Sequence, residues 1–574
     1  MRSGWSRAAP AWGAHLLAVA LALALSPQLR WAGQLGFYEG DYNHVQQFLE
    51  GDGSLRASPK NVVRWLLTDE PLFNVYHGLR YHLLGAEPKA HQLLQGVLIA
   101  ANAVLAFSLV WRLSGRLLFS FLFLVLFLTW PGRGEAYYWP AAIYAPLLLA
   151  LLAAAHLALT WGLTRGRAAY GASWICYSAA IFTHEAAFGF LGVFAGLWCL
   201  RRLPVWGLAP LAASNAAYLL MRQTQWLGFG APGLRFERSP GPGVLVSNLL
   251  ESLAAHFGTG FLERASVLLQ EGARVESLRP ALAGILAVLL AAALPGGRRR
   301  WLLEGTLLFP AMVAAAGIQP GGWRMPDWVV ILPMALAALA CLGLAGAVEC
   351  RLTPGAADRD LARWGAFGVA WFFCAYAPAY FLYIAARHGY LPSVGACLAL
   401  AAVLAWPAAC ARDERRRRLL EGAVVSLAAF LGAAFWAGSI GETARWVRAG
   451  QVTASLRDQL RQAHPRLVAD ARVVILDVPD TLEGAPHLPS YALEAAIRHW
   501  YGTGQILASK QFVPKVTGFW LPHVQQRQDY SRLLLFRFAH QKLEPVGELV
   551  FENGVRVRLG EGAPLAVVSG RERR

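Results

Sequence analysis

The sequence predicts an all-α polytopic membrane protein of about thirteen transmembrane helices, followed by a small α/β domain outside the membrane. Three observations predict it. The 574 residues are 56% hydrophobic and only 15% charged, with a mean hydropathy of +0.40, a balance foreign to a soluble domain. Apolar runs of roughly 15 to 25 residues, the length that crosses a bilayer as helix, recur from Ala11 to Gly438. Between them, arginines cluster at alternate connections, as the positive-inside rule requires.

The spans run approximately Ala11–Leu29, His91–Trp111, Leu117–Trp130, Trp139–Leu163, Ala168–Phe182, Ala186–Leu200, Val205–Met221, Ala281–Leu294, Trp301–Ile318, Trp328–Cys350, Gly365–Ala385, Leu391–Ala411 and Leu419–Gly438. Arg2/Arg7, Arg112/Arg116, Arg165/Arg167, Arg201/Arg202, Arg298–Arg300, Arg351/Arg359/Arg363 and Arg412/Arg415–Arg418 all fall on one side, which is then the cytoplasm. The amino terminus is inside and Gln451–Arg574 outside. The first run also has the charge pattern of a signal peptide, whose cleavage would leave the next loop outside too.

The transmembrane domain therefore spans 1–440, with a first outer loop at 31–90 and a second at 222–280. Val244–Gln270 in the second loop has apolar residues at helical spacing and suits the membrane surface. The outer domain covers 451–574. Arg472–Val478 reads as a buried strand, Tyr491–Trp500 as a helix, and Ser531–Phe538 and Leu549–Leu559 as strands. No repeat of about 20–50 residues is present.

The net charge of +17 does not argue for nucleic acid, because topology accounts for the clusters and no aromatic-interleaved basic surface accompanies them. Cys176, Cys199, Cys341, Cys350, Cys374, Cys397 and Cys410 lie in or beside apolar runs without metal-ligand spacing. They read as small buried hydrophobes.

Gly36–Phe–Tyr–Glu–Gly–Asp41–Tyr–Asn–His44 follows the first span. Asp69–Glu–Pro–Leu–Phe73, Leu79–Arg–Tyr–His–Leu–Leu–Gly85, Pro88, His91 and Ala101–Asn–Ala103 come next, then Thr183–His–Glu185 and Arg387–His–Gly–Tyr–Leu–Pro–Ser–Val–Gly395. Their order resembles the GT-C membrane glycosyltransferases, in particular the protein O-mannosyltransferase-like enzymes and the tetratricopeptide-repeat O-mannosyltransferases with their bacterial relatives. The likeness covers roughly residues 30–200 and 380–410. The carboxy-terminal tail departs from it by lacking the repeats.

The resemblance implies an inner-membrane hexosyltransferase. Its donor would be a polyprenyl-phosphate sugar, with mannose the family-weighted choice, and its acceptor a hydroxyl at the outer face. That acceptor is a protein Ser/Thr or a cell-envelope glycan or lipid. No cofactor is required by the resemblance, the spacing indicates no metal site, and a divalent metal stays open.

The reaction needs a carboxylate to take the acceptor proton and a cation to receive the departing phosphate. Asp41 is the candidate base and Glu39 the second choice. Arg133, Arg324 and Arg387 stand singly in outer loops, where positive charge is disfavoured. With His388 they are candidates for the donor phosphate. Asp69, Glu70, His184, Glu185 and Tyr390 are candidates for positioning the acceptor, the sugar or the loop. Two other readings are a transporter or flippase of lipid-linked sugars, which favours polar residues deep in several spans, and an inactive glycan-binding relative.

Overall fold

A computed structural model describes residues 8–49, 58–66, 70–142, 151–152, 155, 166–201, 208–224, 252, 356–380, 386–411, 413–468, 471–483, 485–502, 506–509, 533–546, 548–550, 556–560 and 563–568. The expected spans Ala281–Leu294, Trp301–Ile318 and Trp328–Cys350, most of Trp139–Leu163, and the amphipathic stretch Val244–Gln270 lie outside them.

Apolar helices dominate. They are α1 (Ala8–Ala24), α2 (Pro27–Trp31), α3 (Gly40–Phe48), α4 (Pro59–Leu66), α5 (Pro71–Leu84), α6 (Pro88–Ser114), α7 (Leu117–Thr129) and the short α8 (Gly134–Tyr138). After them come α9 (Arg167–Thr183), α10 (Phe190–Arg201), α11 (Ala209–Thr224), α12 (Ala356–Tyr380), α13 (Tyr390–Cys410) and α14 (Glu414–Ala463). Prolines open α2, α5 and α6, where the missing N–H costs nothing. Gly115 closes α6 at φ 69°, the left-handed cap that glycine adopts freely.

Among the described residues, Pro88–Ser114, Ala386–Cys410 and Glu414–Ala463 are long and apolar enough to cross a membrane, and Trp12–Ala24, Leu117–Thr129 and Glu185–Ala195 are shorter apolar helices. They pack through an aromatic interior in which Phe119, Phe123 and Phe127 of α7 are fully buried.

The expected last span, Leu419–Gly438, does not stop. α14 continues as a 50-residue helix, about 75 Å long at 1.5 Å per residue, so the expected domain boundary at Gln451 falls inside it. Asp413 caps its start, accepting from the Arg416 amide at 2.8 Å. Its first half is apolar. Its second half carries Arg445, Arg448, Arg457 and Arg461 and buries Val452, Leu456 and Leu460.

Beyond α14 lies a four-stranded sheet in the order β4-β1-β5-β6, from β1 (Arg472–Leu476), β4 (Leu507–Ser509), β5 (Leu533–Ala539) and β6 (Lys542–Pro545). β1 runs parallel to both β4 and β5. A central parallel strand is covered on both faces, which is why Val473–Ile475 is continuously apolar and buried. Helix α15 (Ser490–Tyr501) connects β1 to β4 as a βαβ unit. His540 and Gln541, both at positive φ, make the two-residue β5–β6 turn.

β2 (Thr481–Leu482) and β3 (Ala485–Pro486) form a small ribbon. The expected single strand Leu549–Leu559 is instead divided between β7 (Glu548–Val550) and β8 (Arg556–Gly560), which pair antiparallel, with β9 (Ala563–Val568) beyond. The sequence between them contains Asn553–Gly554, a hairpin dipeptide that a continuous-strand reading overlooked.

α12 and α13 touch through glycine. A Cβ on Gly368 would lie 2.6 Å from the Ala399 nitrogen, and one on Gly395 would lie 2.5 Å from the Phe372 nitrogen. Small residues allow such close backbone approach between membrane helices. Gly395→Ala is therefore expected to cost about 1–3 kcal/mol through overpacking. Gly441→Ala, where nothing lies within 4 Å, is expected to gain up to about 1 kcal/mol of helix propensity. Thermal melting in detergent reads both. Equal melting temperatures for the two variants would disprove the close approach.

Candidate active site around Asp41

Asp41 sits in the first turn of α3, which the preceding turn aims inward. Tyr38 is fully buried, and its hydroxyl donates to the Trp446 carbonyl at 2.8 Å and accepts from the Gly36 amide at 3.1 Å. The Tyr38 amide donates to Asp41 Oδ2 at 2.9 Å, a short return bond at a helix start of the capping-box kind. Asp41 itself is 0% exposed, and its Oδ1 has no hydrogen-bond partner. Burial pushes its carboxyl from the ordinary 3.8 up to about 8, against the opposing pull of the Tyr38 amide, the Arg80 charge and the Ala141 backbone.

Helix α5 supplies the neighbours. Arg80 is 2% exposed. Its Nη1 donates to the Pro140 carbonyl at 2.8 Å, while Nε and Nη2 make no well-aligned hydrogen bond and the guanidinium lies beside the Tyr76 and Tyr81 hydroxyls. Its guanidinium lies 4.9 Å from the Tyr81 ring centre. One turn earlier His77 is fully buried with both ring nitrogens unpartnered, 4.6 Å from the His44 ring. Burial, aided by the Arg80 charge, lowers the His44 pKa to about 3 and the His77 pKa well below 6.5. Both are neutral at physiological pH. The interior thus collects an unspent carboxylate oxygen, an arginine beside two tyrosine hydroxyls and two neutral imidazoles. Buried polar atoms without partners are rare, and their gathering marks a functional-site candidate.

The polar residues of α6 hold this arrangement. Gln92 donates to the carbonyls of Gly36 at 3.1 Å and Tyr138 at 2.8 Å, and Gln95 to that of Ala136 at 2.5 Å. They stitch the first loop to residues 134–142. Trp139 continues the link: a Cβ on Gly40 would lie 3.6 Å from its ring, and the Arg387 guanidinium lies 5.3 Å from its centre. The first loop and the Arg387 motif, far apart in sequence, therefore meet across one tryptophan.

The other expected residues separate. Glu39 is half-buried, at φ 39° and ψ −114°, and its amide donates to the His487 carbonyl at 3.0 Å. Arg387 is paired with Glu135 at 2.7 Å, a partner the sequence reading missed although opposite charges in two loops signalled it. His388 lies half-buried beside it. Glu70 pairs with His184 at 3.3 Å. His184 Nδ1 accepts from the Ala186 amide at 3.0 Å, which leaves Nε2 to carry the proton toward Glu70. Glu185 is buried in the following 3-10 turn. Tyr390 is fully buried in the core, its hydroxyl accepting from Asn102 at 3.2 Å, which suits positioning of helices rather than contact with a sugar.

For Arg133 the sequence leaves open both a donor-phosphate role and a snorkelling or headgroup-facing one, and the structure encloses the side chain. It is 0% exposed and donates to the carbonyls of Trp130 and Phe127 and the Ser393 hydroxyl. The Tyr137 and Phe127 rings lie 4.7 and 4.9 Å from it. All three of its nitrogens donate within the protein, so it braces the core. Asp69 and Arg324 lie outside the described residues. Beside the Glu70–His184 pair, Pro71, Leu72, Trp174, Ile175, Ser178, Ala179 and Phe182 line an open apolar groove of about 450 Å³.

No protein-family model matches this chain, and no curated protein does. Among solved structures, the crystal structure of ArnT from Cupriavidus metallidurans bound to undecaprenyl phosphate is similar at 14% identity and a TM-score of 0.35, covering 86% of this chain and 85% of that one. A likeness this distant fixes neither reaction nor substrate.

The folded-state carboxyl of Asp41 titrates above its unfolded value, so between pH 4 and 8 the folded protein holds a proton that the unfolded chain has released. Wild-type stability should then fall as pH rises through that window. Asp41→Asn removes the slope. The variant should be more stable than wild type by up to about 4 kcal/mol at pH 7, at about 1.4 kcal/mol per pH unit, with the gap closing near pH 4. Melting temperature against pH checks this, and parallel curves for the two proteins would refute it.

Proposed function

We propose that this protein is an integral-membrane glycosyltransferase that moves a sugar from a polyprenyl-phosphate donor to an acceptor hydroxyl at the outer face of the membrane. The observation that carries the reading is the buried Asp41 carboxylate with an unspent oxygen, set in the loop that follows the first apolar helix. The Arg387–Gly395 motif and its resemblance to the O-mannosyltransferase-like enzymes give the reaction class.

In this reading the acceptor hydroxyl attacks the anomeric carbon. Its proton passes to Asp41 as the bond to the new oxygen forms. A carboxyl with a pKa near 8 is ionised in only about one molecule in ten at pH 7, but that form is a stronger base than an ordinary carboxylate. The bond from the anomeric carbon to the phosphate oxygen breaks, and the electron pair leaves with the lipid phosphate. Arg80 meets that charge best. Arg133 already donates from all three of its nitrogens within the protein, and Arg387 is paired with Glu135, whereas Arg80 donates from Nη1 to the Pro140 carbonyl and otherwise faces only the Tyr76 and Tyr81 hydroxyls, which a phosphate can displace. Trp139, between Asp41 and Arg387, offers an apolar face on which a sugar can stack. The groove beside Glu70–His184 fits an isoprenoid chain in size and lining. The acceptor class remains a protein Ser/Thr or an envelope glycan or lipid.

The test follows release of free polyprenyl phosphate from a panel of polyprenyl-phosphate sugars with crude envelope acceptors. Wild type should turn over, with a rate that rises through pH 7–8 as Asp41 ionises. Asp41→Asn should lose about 100- to 10,000-fold. Arg80→Met should lower kcat and move the pH midpoint upward, because removing a nearby positive charge raises the carboxyl pKa further. Equal release by wild type and Asp41→Asn would transfer the base to Glu39 or to Asp69/Glu70. Movement of an intact lipid-linked sugar across the bilayer without cleavage would establish the transporter reading instead.

A further inference from the structure

The expected outer domain at 451–574 packs against the first outer loop. Its residues form one apolar cluster with the Asp41 segment, in which Phe37, Val45 and Phe48 pack with Ile475, Leu493 and Trp500. Tyr42, next to Asp41, meets the Trp500 ring edge-on at 6.2 Å. Gln46 donates to the Ala495 carbonyl at 3.3 Å.

The backbone is held as well. Glu39 at φ 39° occupies a region that L side chains rarely adopt, and such a conformation persists only where surroundings over-determine it. Its amide is bonded to the His487 carbonyl, in the turn that leads into α15. From the opposite side α14 closes on the same turn, since a Cβ on Gly450 would lie 3.0 Å from the Gly36 nitrogen.

We propose that the carboxy-terminal α/β unit is a positioning element of the Asp41 site, holding residues 36–48 in the conformation that buries the carboxylate. Trp500 and the carbonyls of His487 and Ala495 are among its contact points. The contacts stand whatever the reaction is; the consequence for turnover rests on the glycosyltransferase reading. This role differs from recruitment of an acceptor, which would leave residues 36–48 indifferent to the domain.

Hydrogen exchange on the full-length protein in detergent separates the two. Trp500→Ala should speed exchange of amides 36–48 by at least about tenfold, and Trp500→Phe should restore protection. Coupling is reciprocal, so Val45→Ala, on the loop side, should speed exchange across Ser490–Tyr501. If Trp500→Ala also unravels the strand Arg472–Leu476, Val45→Ala decides, because it leaves that domain's own residues unchanged. Wild-type protection of 36–48 in Trp500→Ala, or of Ser490–Tyr501 in Val45→Ala, would overturn the proposal. With a working donor assay, Trp500→Ala should lower kcat while donor KM stays within about twofold. A raised acceptor KM at unchanged kcat would assign the domain to acceptor recruitment and likewise overturn it.

Discussion

The burial of one carboxyl group organises this molecule. Removing Asp41 from water costs free energy that the Tyr38 and Ala141 backbone and the Arg80 charge do not offset in full, so its proton is held far above the usual carboxylate range. Such a group survives only if the rest of the structure forces it. The forcing elements are the Tyr38 bridge to α14, the two glutamines of α6 and the α/β unit packed over α3. Stability is given up at one residue and supplied by many, a pattern common where chemistry is done.

The cations around the site divide by what they touch. Arg133 is consumed by carbonyls, a hydroxyl and aromatic rings, and serves packing. Arg387 is matched with Glu135, and the pair joins two loops across Trp139. Arg80 is buried, donates to the Pro140 carbonyl and otherwise faces the Tyr76 and Tyr81 hydroxyls, with no carboxylate at ion-pair distance among the described residues. Hydrogen-bond accounting therefore separates structural cations from an available one, a distinction that charge alone cannot make.

Much of the fold was legible because hydropathy and helix length leave few choices in a bilayer. α6, α7 and α13 match their expected spans within a few residues, and the apolar Val473–Ile475 announced a central strand. The length of α14 was hidden, because after Gly438 the pattern changes from apolar all round to apolar on one face without leaving the helical period. Asp41 became a candidate through the family resemblance, since its place after the first span suits an ordinary solvated carboxylate or a helix cap as well. Arg80 and His77 could not be picked out, since an arginine and a histidine in a polar loop look like solvated residues until α5 folds them inward. The surroundings of Arg133 were hidden for the same reason in reverse: sequence shows a lone loop arginine, and only the fold shows the three acceptors it donates to.

The central claim is that the Asp41 carboxyl is buried and protonated at neutral pH in the resting protein. Infrared difference spectroscopy of wild type against Asp41→Asn, titrated from pH 5 to 9, reads that proton directly. The account requires a protonated-carboxyl band, absent from the variant, that disappears with a midpoint near pH 8. A residue-41 carboxylate already ionised at pH 5 would show that Asp41 is solvated, and the site described here would not exist in that form.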